Sequence, residues 1–112
     1  KPKNDIYYST GGAPEGVVVA AALSCYGGQI QGRLVLDDEE KVRAKKLGIT
    51  DFKKKYNIED MVKGDVIFCA TGVTSGDLAK GVLDLGNELE VNSLVLHKSE
   101  KIIKSVTNIY NK

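Results

Sequence analysis

Residues 9–16 read Ser-Thr-Gly-Gly-Ala-Pro-Glu-Gly, and no other stretch of the chain concentrates as much usable chemistry. Gly11 and Gly12 lie between a β-rich segment and a helix start, where small residues let backbone N–H groups converge on one spot. The helix start adds further free N–H groups and partial positive charge, which suits an anion. Glu15 stands in the same turn, and a carboxylate beside a phosphate repels it. The two are tolerated together when a divalent cation lies between them, held by the carboxylate and by phosphate oxygens. The pattern points to metal-assisted phosphate chemistry. A plainer reading stays open, in which Gly11 and Gly12 only form a tight turn and Glu15 is a first-turn acid favoured by the helix dipole. Neither the dinucleotide-binding glycine fingerprint nor the P-loop is present after a strand.

Other candidates carry less. Residues 71–77 (Thr-Gly-Val-Thr-Ser-Gly-Asp) form a second loop of small residues after an apolar strand, where α/β folds bind ligands. The structural alternative is a turn in which Thr74 or Ser75 caps a following helix. Arg33 reads as a solvated strand residue, with pairing to a phosphate or to a neighbouring subunit's acids as the alternative. His97 is the single histidine, and no acid–nucleophile arrangement is readable around it, so a surface or packing role is expected. The run 53–55 of three lysines reads as a solvated face. The five tyrosines read as packing residues and form no base-stacking platform. No catalytic residue is assigned within the chain.

The elements that must position these groups follow from patterning. Residues 5–10 are short and rich in β-formers, so a strand is expected. Pro14 suits the first turn of a helix, which runs to Tyr26 and stops at Gly27-Gly28. Its residues 17–26 are apolar nearly all round, which predicts burial on most faces. Residues 29–36 alternate as a strand with at least one buried side. Residues 37–48 run from acids to bases and predict a surface helix stopped by Gly48. Residues 49–56 and 58–62 predict short helical turns, and 63–65 a turn. Residues 66–70 (Val-Ile-Phe-Cys-Ala) form a continuous apolar run, as in a central strand buried on both faces. A helical segment is expected over 78–85. Residues 88–97 and 101–110 are two β-rich runs joined as an antiparallel hairpin. This order predicts an α/β layered fold, a mixed sheet with helices packed on it, in one domain spanning residues 1–112.

Composition bounds the rest. The chain has 112 residues, 42% hydrophobic and 28% charged, which is one domain's worth and excludes disorder. Twelve glycines with two prolines exclude collagen-like and linker-like chains. Sixteen basic against fifteen acidic residues leave a net charge of +1, which argues against a non-specific nucleic-acid or membrane binder. The longest apolar run, residues 17–23, is too short to span a bilayer. Cys25 and Cys69 both sit in apolar contexts and read as free buried thiols in a reducing, cytoplasmic compartment. The first residue is Lys1 and the chain soon enters a strand-like segment, so a piece of a longer protein is expected.

Several stretches together resemble the class II fructose-1,6-bisphosphatases, in the family's order and over nearly the whole chain. They are residues 9–16 with the Ala-rich helix that follows, residues 25–34 (Cys-Tyr-Gly-Gly-Gln-Ile-Gln-Gly-Arg-Leu), residues 46–49 (Lys-Leu-Gly-Ile) and residues 58–68 (Ile-Glu-Asp-Met-Val-Lys-Gly-Asp-Val-Ile-Phe). Residues 70–78 (Ala-Thr-Gly-Val-Thr-Ser-Gly-Asp-Leu) match the family's ATG-x-T-x-G-x-L element. The wider group is the metal-dependent, lithium-sensitive sugar phosphatases.

The resemblance implies a role for specific positions. Glu15 corresponds to a metal ligand, Mn²⁺ or Mg²⁺, and Gly12, with Gly11 beside it, to substrate contacts. The remaining metal carboxylates and the residues that place the attacking water belong to an N-terminal portion of the family, so this chain corresponds to the C-terminal third. One carboxylate does not hold a divalent cation tightly, and the chain alone is expected to be inactive. The implied reaction removes the 1-phosphate of fructose 1,6-bisphosphate, within a homo-oligomer of the full-length enzyme. Sedoheptulose 1,7-bisphosphate or an inositol phosphate is the alternative substrate, and a non-catalytic phosphate-binding or assembly domain is the alternative class.

Overall fold

The structure, a computed structural model, describes residues 6–112. Helix α1 spans Ala13–Tyr26, β1 Gln31–Arg33, α2 Asp38–Lys46, β2 Lys55–Asn57 and α3 Ile58–Met61. Strands β3 (Ile67–Thr71), β4 (Leu83–Asp84), β5 (Glu88–His97) and β6 (Ile102–Asn111) follow. Sheets with helices packed on them make an α/β layered arrangement, as the patterning predicts. All described pairings are antiparallel: β1 with β2, and β3, β4 and β6 each with β5.

The helix ends follow local chemistry. Gly27, at φ 75°, takes the left-handed conformation that favours glycine, and its N–H donates to Leu23 O to close α1. Asp37 caps α2 by accepting from the Glu40 N–H at 2.8 Å, while the Glu40 carboxylate accepts from the Asp37 N–H at 3.2 Å. At the start of α3 the Asp60 carboxylate accepts from the Asn57 N–H at 2.9 Å. These bonds to the Asp37 carboxylate, the Glu40 N–H first, hold its pKa below the usual carboxylate range.

The sheet is built outward from β5. β5 pairs with β6 along its whole length, from Glu88↔Asn111 to His97↔Ile102, and with β3 from Ile67↔His97 to Thr71↔Ser93. Leu94 and Leu96 of β5 are buried and, with Ala20, Ala44 and Ile58, are the buried apolar residues. Helix α1 lies against β3, β5 and α3. The Cα radius of gyration is 17.9 Å, against about 13 Å for a compact domain of this length. The described chain is elongated, with a thin core.

Several expectations are corrected. Residues 6–10 form no strand, because no described strand offers them a ladder; Asp5 lies outside the described residues. α1 is not buried on most faces. Val17, Val18 and Val19 are 43–55% exposed and only Ala20 is buried, since neighbours meet one side of it. β1 occupies three residues of the predicted 29–36 strand, because its short partner β2 ends the ladder. β2 itself replaces a predicted helical turn. Among the described residues β3 lies at the sheet edge, paired with β5 on one side only, and Ile67 is 68% exposed, so β3 is not the central strand buried on both faces that its apolar run predicts. Residues 78–85 make a loop and β4 instead of a helix. Cys69 is exposed rather than buried, while Cys25 is partly buried and donates to Val66 O at 3.9 Å.

Candidate functional site

Gly12 is the residue before the first turn of α1, in extended conformation (φ −69°, ψ 144°), and its carbonyl accepts from the Gly16 N–H at 3.1 Å. With no side chain on Gly12, nothing from the cap position bonds the first-turn N–H groups. These donors stay available, with the positive end of the helix dipole behind them. Glu15, the one acid in that turn, folds its carboxylate back across Gly12. A Cβ built on Gly12 would overlap Glu15 Oε2 and come within 3.0 Å of its Cδ. Gly12 thus makes the room that the Glu15 carboxylate occupies. A Cβ on Gly11 meets nothing within 4 Å, and neither glycine has positive φ, so the pair is not held by a tight-turn requirement.

The structure therefore brings Gly12 and Glu15 together at an exposed helix mouth, with Gly11 beside them. Among the described residues no group of three or more His, Cys, Asp or Glu side chains could hold a metal ion. A carboxylate oxygen suits a hard cation such as Mg²⁺ or Mn²⁺, which takes about six oxygen ligands. Glu15 fits as one member of such a set.

The 71–82 loop shares no hydrogen bond with Gly11, Gly12 or Glu15. It closes on itself through Val82 N–H to Val73 O (3.0 Å), Gly76 N–H to Ala79 O (3.1 Å) and Gly81 N–H to Ser75 Oγ (3.0 Å). Ser75 thus staples a loop instead of capping a helix. Gly72 and Gly81 are pressed on backbone: a Cβ on Gly81 would lie 2.7 Å from Ser75 N, Thr74 C and Val73 O. The shallow depression along this loop, about 340 Å³, includes neither Gly12 nor Glu15. Arg33 is exposed on β1 and, among the described residues, makes no ion pair. Lys54 lies 4.9 Å from the Tyr56 ring centre and 3.9 Å from Asp60, on an exposed face as expected.

One cluster was missed. His97 Nε2 lies 2.7 Å from Asp65 Oδ2, and Ser99 Oγ donates to the same oxygen at 2.7 Å. The N–H groups of Ser99 and Val66 both donate to Asp65 Oδ1 at 2.9 Å. These bonds, those from Ser99 and His97 first, hold the Asp65 pKa well below the usual carboxylate range. This is not a nucleophile relay. A relay needs serine and carboxylate on opposite ring nitrogens, whereas here both meet Nε2 and the serine proton goes to the carboxylate. The cluster pins the turn before β3 to the hairpin after β5. Its signal was the β3–β5 register, which no local pattern encodes.

Comparison with known proteins decides the family. Residues 1–110 match the family described as bacterial fructose-1,6-bisphosphatase, glpX-encoded. The chain belongs to that family. It is similar to the D-fructose 1,6-bisphosphatase class 2/sedoheptulose 1,7-bisphosphatase of Synechococcus sp. (strain JA-3-3Ab), 36% identical over 91% of this chain and 33% of that protein. It is also similar to the fructose-1,6-bisphosphatase class 2 of Haemophilus influenzae, at 34% identity over 95% of this chain and 36% of that protein. The fructose-1,6-bisphosphatase 2 class 2 of Escherichia coli (strain K12) is 29% identical over 95% of the chain and 37% of its own length. The glpX-type chain spans about a third of the length of the curated relatives it matches. No helix among its described residues is long and apolar enough to cross a membrane.

Proposed function

We propose that this chain is the C-terminal portion of a metal-dependent fructose-1,6-bisphosphatase and that it contributes one wall of the active site. The observation that carries this reading is the Glu15 carboxylate lying across Gly12 at a helix mouth whose first-turn N–H groups have no side-chain cap. Glu15 would hold Mn²⁺ or Mg²⁺ as one ligand of several. A bound divalent cation polarises a phosphoryl oxygen and lowers the pKa of coordinated water. The backbone N–H groups at Gly11, Gly12 and the first turn would orient the substrate's phosphate or sugar. Gly12 keeps the carboxylate close to those donors, because a larger residue would push it aside. The product would be fructose 6-phosphate and phosphate, formed in the cytoplasm, where Cys25 and Cys69 stay reduced. The chain alone supplies one candidate metal carboxylate and is inactive on this reading.

The test is a phosphate-release assay on the full-length protein with fructose 1,6-bisphosphate, comparing Mn²⁺ with Mg²⁺. Glu15→Gln should lower turnover by about 100-fold or more, the scale of losing one stabiliser of transition-state charge, with an unchanged circular dichroism spectrum. An unchanged rate at saturating metal removes Glu15 from the chemistry. Absence of phosphate release from every sugar phosphate favours a non-catalytic phosphate-binding or assembly role. The Synechococcus relative, named for both activities, favours testing sedoheptulose 1,7-bisphosphate beside the fructose ester.

A further inference from the structure

Strand β6 closes one side of the sheet. One edge bonds β5 along its whole length, and among the described residues nothing pairs with the other edge. The strand is ten residues long, with no proline and a single charge, Lys104. Of the devices by which proteins commonly keep an exposed edge from pairing, it carries that single lysine, with no proline and no bulge.

The ladder determines which backbone groups face outward. The Lys112 N–H donates to Asn87 O at 3.0 Å, so that pair is hydrogen-bonded. Alternation along an antiparallel ladder then turns Ile102, Lys104, Val106, Asn108 and Tyr110 toward β5. The backbone groups of Ile103, Ser105, Thr107, Ile109 and Asn111 point outward. The far side of β5 agrees: Lys98 N–H donates to Val66 O and Asn92 O accepts from Gly72 N–H, so the even positions of β5 face β3 and the odd ones face β6.

Antiparallel pairing joins outward-facing residues to outward-facing residues. Two copies of β6 about a twofold axis must therefore centre on a residue, not between two. Centring on Val106 sets Ile102 against Tyr110, Ile103 against Ile109, Lys104 against Asn108 and Ser105 against Thr107. Apolar meets apolar and polar meets polar at each position. Centring on Ser105 sets Ile103 against Thr107, and centring on Thr107 sets it against Asn111. The strand's polarity is symmetric about Val106, at the register its backbone allows.

We propose that β6 is the strand through which two copies of this protein join, antiparallel about Val106, so that one sheet runs across the twofold axis. This goes beyond the catalytic reading and does not depend on it. Val106 would face its own copy as a non-hydrogen-bonded pair, with Cα atoms about 4.5 Å apart, within the range a disulfide bridges.

The experiment uses the full-length protein. Val106→Cys, oxidised with copper–phenanthroline, should run as a covalent dimer on a non-reducing gel, well above the level of the unmodified protein. Ile102→Cys should give no more dimer than the unmodified protein, because its two copies would sit about 27 Å apart, eight residues along the pair. Ser105→Pro removes an outward N–H and should halve the mass measured by light scattering while the circular dichroism spectrum is kept. A folded Val106→Cys protein with no added dimer overturns the proposal. So does an assembly whose mass Ser105→Pro leaves unchanged, since the interface then lies elsewhere. A single-copy mass in the unmodified protein also overturns it and assigns the edge to another strand of the same polypeptide.

Discussion

The two ends of the chain meet the demands of backbone and side chains differently. From β3 to β6, strands satisfy one another through a continuous antiparallel ladder, Leu94 and Leu96 are buried, and the Asp65–His97–Ser99 cluster ties turn to hairpin. From residue 6 through α1, Ile6, Tyr7 and Tyr8 are 84–94% exposed, three valines of α1 stand half-exposed, and the first-turn N–H groups lack a side-chain cap. The first region is a scaffold that stabilises itself. The second carries the candidate chemistry and is exposed among the described residues. Stability and function are therefore separable by residue.

The largest effect that would sharpen this contrast is Leu96→Ala, which should cost about 2–5 kcal/mol in urea unfolding of the full-length protein and leave turnover per folded molecule unchanged. A comparable loss of turnover in the remaining folded protein would break the separation. Gly81→Ala comes next. Its Cβ would meet backbone on three sides, so about 1–3 kcal/mol is expected, again read by urea unfolding. Gly12→Ala should act the opposite way, displacing the Glu15 carboxylate and weakening metal-dependent turnover by about tenfold, the lower end for disturbing a ligand's support, with little loss of stability. Gly11→Ala should not alter stability, and any loss it causes should appear in KM for the sugar phosphate.

The smallest effect concerns acid. The folded-state pKa of Asp65 lies below its ordinary value of 3.8. Its contribution is complete above that value and is lost as pH falls through it toward the folded pKa. Asp65→Asn should remove that contribution at neutral pH and so flatten the acid limb of the stability curve below pH 4, measured as melting temperature against pH. An unaltered acid limb would remove Asp65 from the pin between β3 and the hairpin.

Much of the architecture was legible locally. The Pro14 start and Gly27 stop of α1, the acid-to-base run of α2 and the β5–β6 hairpin all came from spacing, because caps, dipoles and alternation act within a few residues. The juxtaposition of Gly12 with Glu15 was legible too, since three residues along a helix start are one turn. The misreadings share a cause. Residues 66–70 looked like a doubly buried strand and 17–26 like a buried helix, yet composition reports what a segment can bury, not what covers it. Residues 78–85 looked helical, but contacts between Gly72, Gly81 and the backbone facing them hold that segment as a loop.

By itself, the sequence determined the helix mouth, the acid within it and the family to which the chain belongs, because each rests on neighbours in the chain. Only the tertiary structure decided that β3 lies at an edge, that Asp65 meets His97 and Ser99, and that β6 turns the odd-numbered half of its hydrogen-bonding groups outward. Those outcomes depend on which strands pair and in what register, and register is set by contacts between residues tens of positions apart.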